Sequence, residues 1–390
     1  MPEPNVSILD TMPTYRERIH DIREVILANA VMFGEIPSPT FGEAGRARFL
    51  MDRFTEGGCQ NISTDEVGNA VGILPGTAGR GNILLSAHMD TPFTQAVDHT
   101  VTVLPEHLVG PGILDNSLGL AVIASLPMIL ETLGIQLEHD LILLGSTRSL
   151  GSGDIEGMRF FLNNNKLPVE AGVIVEGGTL GRLSYTSLGM SRNLIQCKLP
   201  DGYDFSRFSS GGAVSILNRI ITAILALRIP KEPATQIILG AVEAGTTYNT
   251  IARTGSLRYE IRSEQVGLVG ELNEQIASLC GEIRTASDVE IELMEVARRH
   301  NGGLEFAHPF VACVRSIMQQ LEVDPKVAPS TGELAAMIEK GIPGITLGMT
   351  HGQHRHLFDE RVEIEPIFTG LAQLLAGLQA IDGGICNGEA

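Results

Sequence analysis

The sequence predicts a layered α/β domain interrupted by a smaller α+β domain. Three observations carry this. Short apolar runs alternate with helical patterns in the first half, the order changes to strand–helix–strand–strand–helix–strand from about Ser191, and 390 residues suggest two domains. Alternating strands and helices build a sheet covered by helices, and the second order is that of a split βαβ, ferredoxin-like unit.

Each element has its own signal. Residues 15–33 carry Ile19, Ile22, Val25, Ile26, Ala30 and Phe33 at three- and four-residue steps, which predicts one amphipathic helix ending before Pro37-Ser-Pro39. A second helix fits 43–55, closed by Gly57-Gly58, which can supply a left-handed cap. The apolar runs 69–74, 82–87, 141–144 and 172–175 read as strands, with a long apolar helix over 118–133. In the insert, strands are expected at 193–199, 236–242, 256–262 and 289–296, and helices at 213–227 and 265–285. Asn301-Gly-Gly303 closes it, and alternation resumes at 309–321, 333–340 and 345–348. The predicted boundaries are therefore 1–190 with 302–390 for the α/β domain, and 191–301 for the insert.

Composition limits the function classes. The 46 Asp and Glu against 28 Lys and Arg give a net charge of −18. A nucleic-acid binder needs a basic face to displace counterions, and an anionic membrane attracts basic segments, so neither partner is expected. No uncharged apolar run of about 18 residues is visible, so no spanning helix is expected. The acidic, Pro-rich start is unlike a basic secretory leader. Five scattered cysteines (Cys59, Cys197, Cys280, Cys313, Cys386) without a C-x-x-C pair fit a reducing compartment, and a cytoplasmic location is expected.

Four stretches could carry chemistry. In Leu84-Leu-Ser-Ala-His88-Met-Asp90, an apolar strand ends in a histidine with an aspartate two residues on. Open α/β sheets place their sites beyond such strand ends, and a carboxylate can fix the tautomer of a metal-binding imidazole. Gly110-Pro-Gly-Ile-Leu-Asp115 is a glycine-rich loop whose aspartate opens an apolar helix. Val173-Ile-Val-Glu176-Gly-Gly ends a strand in a carboxylate, and Thr350-His-Gly-Gln-His-Arg-His356-Leu-Phe-Asp-Glu360 packs three histidines into six residues. Singly, a buried histidine, a helix cap or a solvated loop explains each of them. Together they supply nitrogen and oxygen donors suited to zinc.

Across nearly its whole length the sequence resembles the dinuclear-zinc hydrolases that include acetylornithine deacetylase, succinyl-diaminopimelate desuccinylase, peptidase T and glutamate carboxypeptidase. The resemblance rests on Ile36-Pro-Ser-Pro-Thr-Phe-Gly-Glu43, Asp65-Glu-Val-Gly-Asn69, His88-Met-Asp90-Thr91, residues 112–119, Glu176 and His356 to Glu360. In the insert it rests on Thr235, Gly240, Gly245-Thr-Thr-Tyr-Asn249-Thr-Ile251 and Arg262. It implies a zinc-exopeptidase-like α/β/α catalytic domain with a lid and dimerisation domain inserted. It also implies that His88, Asp115 and Glu176 hold one zinc ion, that Asp115 bridges to a second held by His356, and that Asp90 orients His88. Asn249, Arg262, Tyr203 and Gly332 fall at substrate-binding positions, with Arg262 suited to grip a carboxylate.

The departures are as informative. Where relatives carry paired glutamates, this chain reads Gly145-Ser-Thr-Arg148-Ser149-Leu-Gly151. The general-base position holds Arg148, which cannot accept a proton, and a ligand position of the second site holds Ser149. Tyr203 stands where relatives have a lid histidine, and a phenol can still donate a hydrogen bond there. Asp154 and Glu156 could supply the missing carboxylates if the loop were rearranged. The alternative is that Arg148 sits near Asp115 and Glu176 and replaces the charge of a lost ion. The expected activity is metal-dependent cleavage of an amide bond in a small peptide or acylated amino acid, with His351 or His354 as a substitute base. The competing expectation is a catalytically impaired relative that binds a carboxylate-bearing molecule or a protein partner. A homodimer formed through the inserted domain is also expected.

Overall fold

A computed structural model describes residues 6–202, 211–287 and 289–386. The chain divides into two compact units, Met1–Ser187 with Gly302–Ala390, and Leu188–Asn301.

The first unit is built on an eight-stranded mixed sheet in the order Gln60–Thr64, Ala70–Leu74, Asp140–Ser146, Asn82–His88, Val169–Gly178, Gly344–Thr350, Arg182–Ser184, Lys326–Val327. The four central strands run parallel. All seven residues of Asn82–His88 are buried, as expected of a strand covered on both faces. Alternation assigns the two faces. Ile83, Leu85 and Ala87 join a large core with helices Arg23–Glu35, Leu118–Leu133 and Pro366–Asp382, while Leu84 joins Ile142, Leu144 and Ile174 under helices Glu156–Asn164 and Leu334–Glu339. The result is an α/β/α sandwich. After Asn82–His88 the chain adds its next sheet strand on one side and the following one on the other. His88 therefore ends the strand at the topological switch point, where such sheets open a crevice.

The second unit is a four-stranded antiparallel sheet, in the order Thr235–Ala244, Thr254–Ser263, Gly189–Lys198, Glu290–Arg299. Helices Gly212–Leu225 and Leu268–Ser287 pack Ile216, Leu217, Ile220, Leu272 and Ile276 into its own core. This is the ferredoxin-like arrangement that the strand and helix order predicts.

Two expectations are corrected. The single helix over 15–33 is two helices, Val6–Ile19 and Arg23–Glu35, joined by the 3₁₀ turn His20–Ile22. Packing overrides periodicity here. The first helix docks on Pro366–Asp382 through Tyr15 Oη to Gln379 at 3.2 Å, with His20 of the turn adding a ring contact to Phe368, whereas the second lies on Leu118–Leu133, with Asn29 donating to Ser125 at 2.9 Å. The stretch Ile113–Leu133 is long and apolar enough to cross a membrane by length and composition, contrary to the sequence expectation. Its apolar window is 94% buried, the setting of a core helix.

Helix Pro366–Asp382 offers an internal test of this packing. A methyl group on Gly370 would overlap the Met349 carbonyl oxygen on the central strand, whereas one on Gly377 meets nothing within 4 Å. Alanine ordinarily stabilises a helix by about 1 kcal/mol over glycine. We expect Gly377→Ala to follow that rule and Gly370→Ala to lower stability by about 1–3 kcal/mol through overpacking, read from urea unfolding midpoints.

Candidate metal centre

His88, Asp115 and Glu176 converge beyond the ends of the central strands. Their donor atoms all lie within 4.8 Å of one another, and all three side chains are buried. His88 Nε2 is 2.9 Å from Asp115 Oδ1, and His356 Nε2 is 2.8 Å from Asp115 Oδ2. Burial alone would push the Asp115 carboxyl up. The hydrogen bonds from His356 and His88, with the nearby charge of Arg355, outweigh burial and hold it well below the usual carboxylate range. Burial raises Glu176, offset in part by Arg182.

The local sequence explains how three separate segments keep this geometry. Gly112 turns the loop with φ +73°, and a side chain there would crowd Thr91. Asn116 donates to Val175 O at 2.8 Å and accepts from Gly177 N at 2.8 Å, so it clamps the backbone on either side of Glu176. Fully buried Glu360 accepts from the backbone N–H of Leu114, Asp115 and His356, tying two of the donor segments together. His88 Nδ1 lies 3.0 Å from the Asp90 carbonyl and 3.4 Å from its carboxylate. That carboxylate also accepts from Ser149 N, Leu150 N and Thr40 Oγ1 at 2.8–3.0 Å.

Arg46 is the largest fully buried side chain. It donates to Ile36 O at 3.1 Å, Met89 O at 3.0 Å and Ser117 Oγ at 2.8 Å. It thereby joins Ile36 at the end of helix Arg23–Glu35, the His88–Asp90 turn and the segment after Asp115. Burial pulls its pKa down to about 10, which leaves it charged at neutral pH. Its signal was present in the sequence, because Arg46, Leu50 and Phe54 form the buried stripe of helix Ala44–Glu56 at four-residue steps.

Arg148 overturns its assigned role. Its guanidinium pairs with Glu156 at 2.9 Å and lies over the Phe41 ring at 5.4 Å. The cations beside Asp115 and Glu176 are instead Arg355, 3.6 and 3.8 Å from their carboxylates, and Arg182, 3.6 Å from Glu176. Sequence reasoning missed both, although Arg355 stands next to His356. The loop alternative gains no carboxylate either: Glu156 holds Arg148, and Asp154 holds Arg159 at 2.6 Å. His354 pairs with Asp359 at 2.6 Å on the surface. Gly332 adjoins buried Glu333, a further carboxylate missed from sequence, whose Oε1 lies 3.3 Å from Ser146 Oγ on the strand beside His88. Asn249 is exposed in the second unit, where Arg262 pairs with Glu260. Tyr203 lies outside the described residues.

This layered unit, with imidazole and carboxylate donors gathered at its switch point, has the make-up of a metallopeptidase-type hydrolase. The chain belongs to peptidase family M20/M25/M40, whose model matches residues 84–380. Among solved structures it is similar to an aminopeptidase from Bacillus cereus, with TM-score 0.72, 15% identity, and coverage of 92% of this chain and 98% of that one. A dipeptidase from Saccharomyces cerevisiae gives 0.76 at 13% identity, covering 96% and 99%. A dinuclear metal binding peptidase of the M20 family from Bacillus subtilis gives 0.66 at 16%, covering 93% and 98%. At such identities the likeness is one of fold. No curated protein matches the sequence.

Replacing Arg46 by Met leaves three acceptors without their donor, two of them buried and one part-buried. We expect a loss of roughly 3–5 kcal/mol in stability, measured by denaturant unfolding.

Proposed function

We propose that this chain is a zinc-dependent hydrolase that cleaves an amide bond in a small peptide or N-acylated amino acid, with catalysis altered by Arg148 and Ser149. The observation that carries this reading is the buried His88–Asp115–Glu176 cluster. One imidazole and two carboxylates within 4.8 Å of one another fit a catalytic zinc site, which leaves a coordination position open. Zinc held there supplies Lewis-acid polarisation of a carbonyl and lowers the pKa of a water.

The chain's own residues do the rest. Glu360 holds the Asp115 backbone, Asn116 holds the strand of Glu176, and Asp90 fixes the ring of His88. With a guanidinium at position 148, the family's proton acceptor is missing, and loss of a general base costs about 10²–10⁴-fold in rate. Slow turnover is therefore part of the proposal. Asn249 and Arg262 are proposed to bind the substrate carboxylate, on the strength of the motif resemblance. The exposed edge strand Thr235–Ala244 supports homodimer formation through the second unit. Five free thiols, four of them buried, support a cytoplasmic location.

The second reading is an impaired relative that binds a carboxylate-bearing ligand or a partner without turning it over. The observation favouring it is the joint loss of glutamate at 148 and 149.

Turnover of dipeptides and N-acyl amino acids should be slow, abolished by a chelator and restored by zinc. Asp90→Asn should weaken zinc binding by about 10–100-fold. Turnover indifferent to chelation would refute the metal-hydrolase reading. Activity found only in the Arg148→Glu, Ser149→Glu double variant would establish the impaired one.

A further inference from the structure

Asp115 divides its two oxygens between two environments. Oδ1 faces His88, while Oδ2 faces His356 at 2.8 Å and Arg355 Nη1 at 3.6 Å. If Asp115 were to hold a second ion as well, Oδ2, the oxygen facing His356, would be the one available to it. Arg355 also reaches Glu176 Oε2 at 3.8 Å and donates to Gly178 O at 3.3 Å, so its guanidinium is anchored across the mouth of the cluster. Arg182 stands 3.6 Å from the same Glu176 oxygen.

The donors left for a second ion do not suffice. Ser149 is buried, its backbone N–H is committed to Asp90, and its neutral hydroxyl is a poor zinc ligand. Among the described residues Asp115 Oδ2 and His356 alone remain, and the guanidinium of Arg355, which stays protonated, lies beside that oxygen. Charge points the same way. At Asp115 Oδ2 itself the guanidinium of Arg355, 3.6 Å away, already stands where the charge of a second ion would act. A second dication would enter a site with too few ligands, against like charge at close range.

We infer that the centre takes one divalent ion, and that Arg355, seconded by Arg182, supplies the positive charge a second ion would bring. The inference rests on the metal-hydrolase reading above. It makes the family's second site a guanidinium site in this chain, and it gives Arg355 the role that the sequence predicts for Arg148.

The test is metal stoichiometry of the full chain after equilibration with excess zinc, by native mass spectrometry and elemental analysis. Wild type, Ser149→Glu and Arg355→Met should each hold one ion, and the Ser149→Glu, Arg355→Met double variant should hold two. Arg355→Gln replaces Arg355→Met in the double variant if the latter fails to show a cooperative thermal melt. Two ions in wild type or in Ser149→Glu overturn the inference while leaving the metal-hydrolase reading intact. A folded double variant that stays at one ion overturns the assignment to Arg355. Wild type holding no ion overturns both the inference and the reading beneath it.

Discussion

The ionised carboxylate of Asp115 is the constraint on which the centre depends. A buried charge left alone is costly, and removing one partner from a buried pair costs on the order of 3–5 kcal/mol. Asp115 is 3% exposed and stays ionised because each oxygen has a partner, His88 on one side and His356 with Arg355 on the other. Those partners come from the end of a central strand and from a loop more than 240 residues further along the chain. The carboxylate can form its contacts only once the sheet is assembled and the loop carrying His356 is folded over it. Fold and site are therefore coupled through one side chain.

The surrounding polar groups extend that coupling. Glu360 holds the backbone of both the Asp115 and His356 segments, Asn116 holds the strand of Glu176, and Arg46 holds the turn that carries His88 and Asp90. Each is buried and each acts on main-chain groups. An arrangement of this kind fixes the backbone from which the donors project, so less freedom is left to the donors themselves.

Much of this was legible in the sequence. The apolar runs gave the central strands, because parallel strands covered on both faces read as continuous hydrophobic segments. The strand–helix order gave the ferredoxin-like unit, and His88, Asp115 and Glu176 announced themselves at strand and loop ends. Other features stayed hidden for physical reasons. The break at His20–Ile22 follows from two helices docking on different partners, which no local pattern encodes. The edge strand Gln60–Thr64 faces solvent on most of its residues, so it carries no apolar alternation. Arg148 and Arg355 are equal as cations on the page, and only the backbone decides which one meets Asp115. At Arg148 the chain adopts φ +52° and sends the side chain to Glu156 instead.

That same loop explains how the chemistry could change while the scaffold stayed. Four successive backbone N–H groups are taken up by side chains from elsewhere: Thr147 by Asn69, Arg148 by Glu43, and Ser149 and Leu150 by the two oxygens of Asp90. Within this set the loop is fixed through its main chain, with no bond that requires a glutamate at 148 or 149. On the proposed reading, substitution there would remove a proton acceptor and a ligand without removing support from His88 or Asp90. The converse holds for Asp115, Glu360 and Arg46, whose side chains are themselves the support. A fold arranged in this way can lose its reaction at two exchangeable positions and still hold the remaining donors in place, because the residues that react and the residues that position them are different ones.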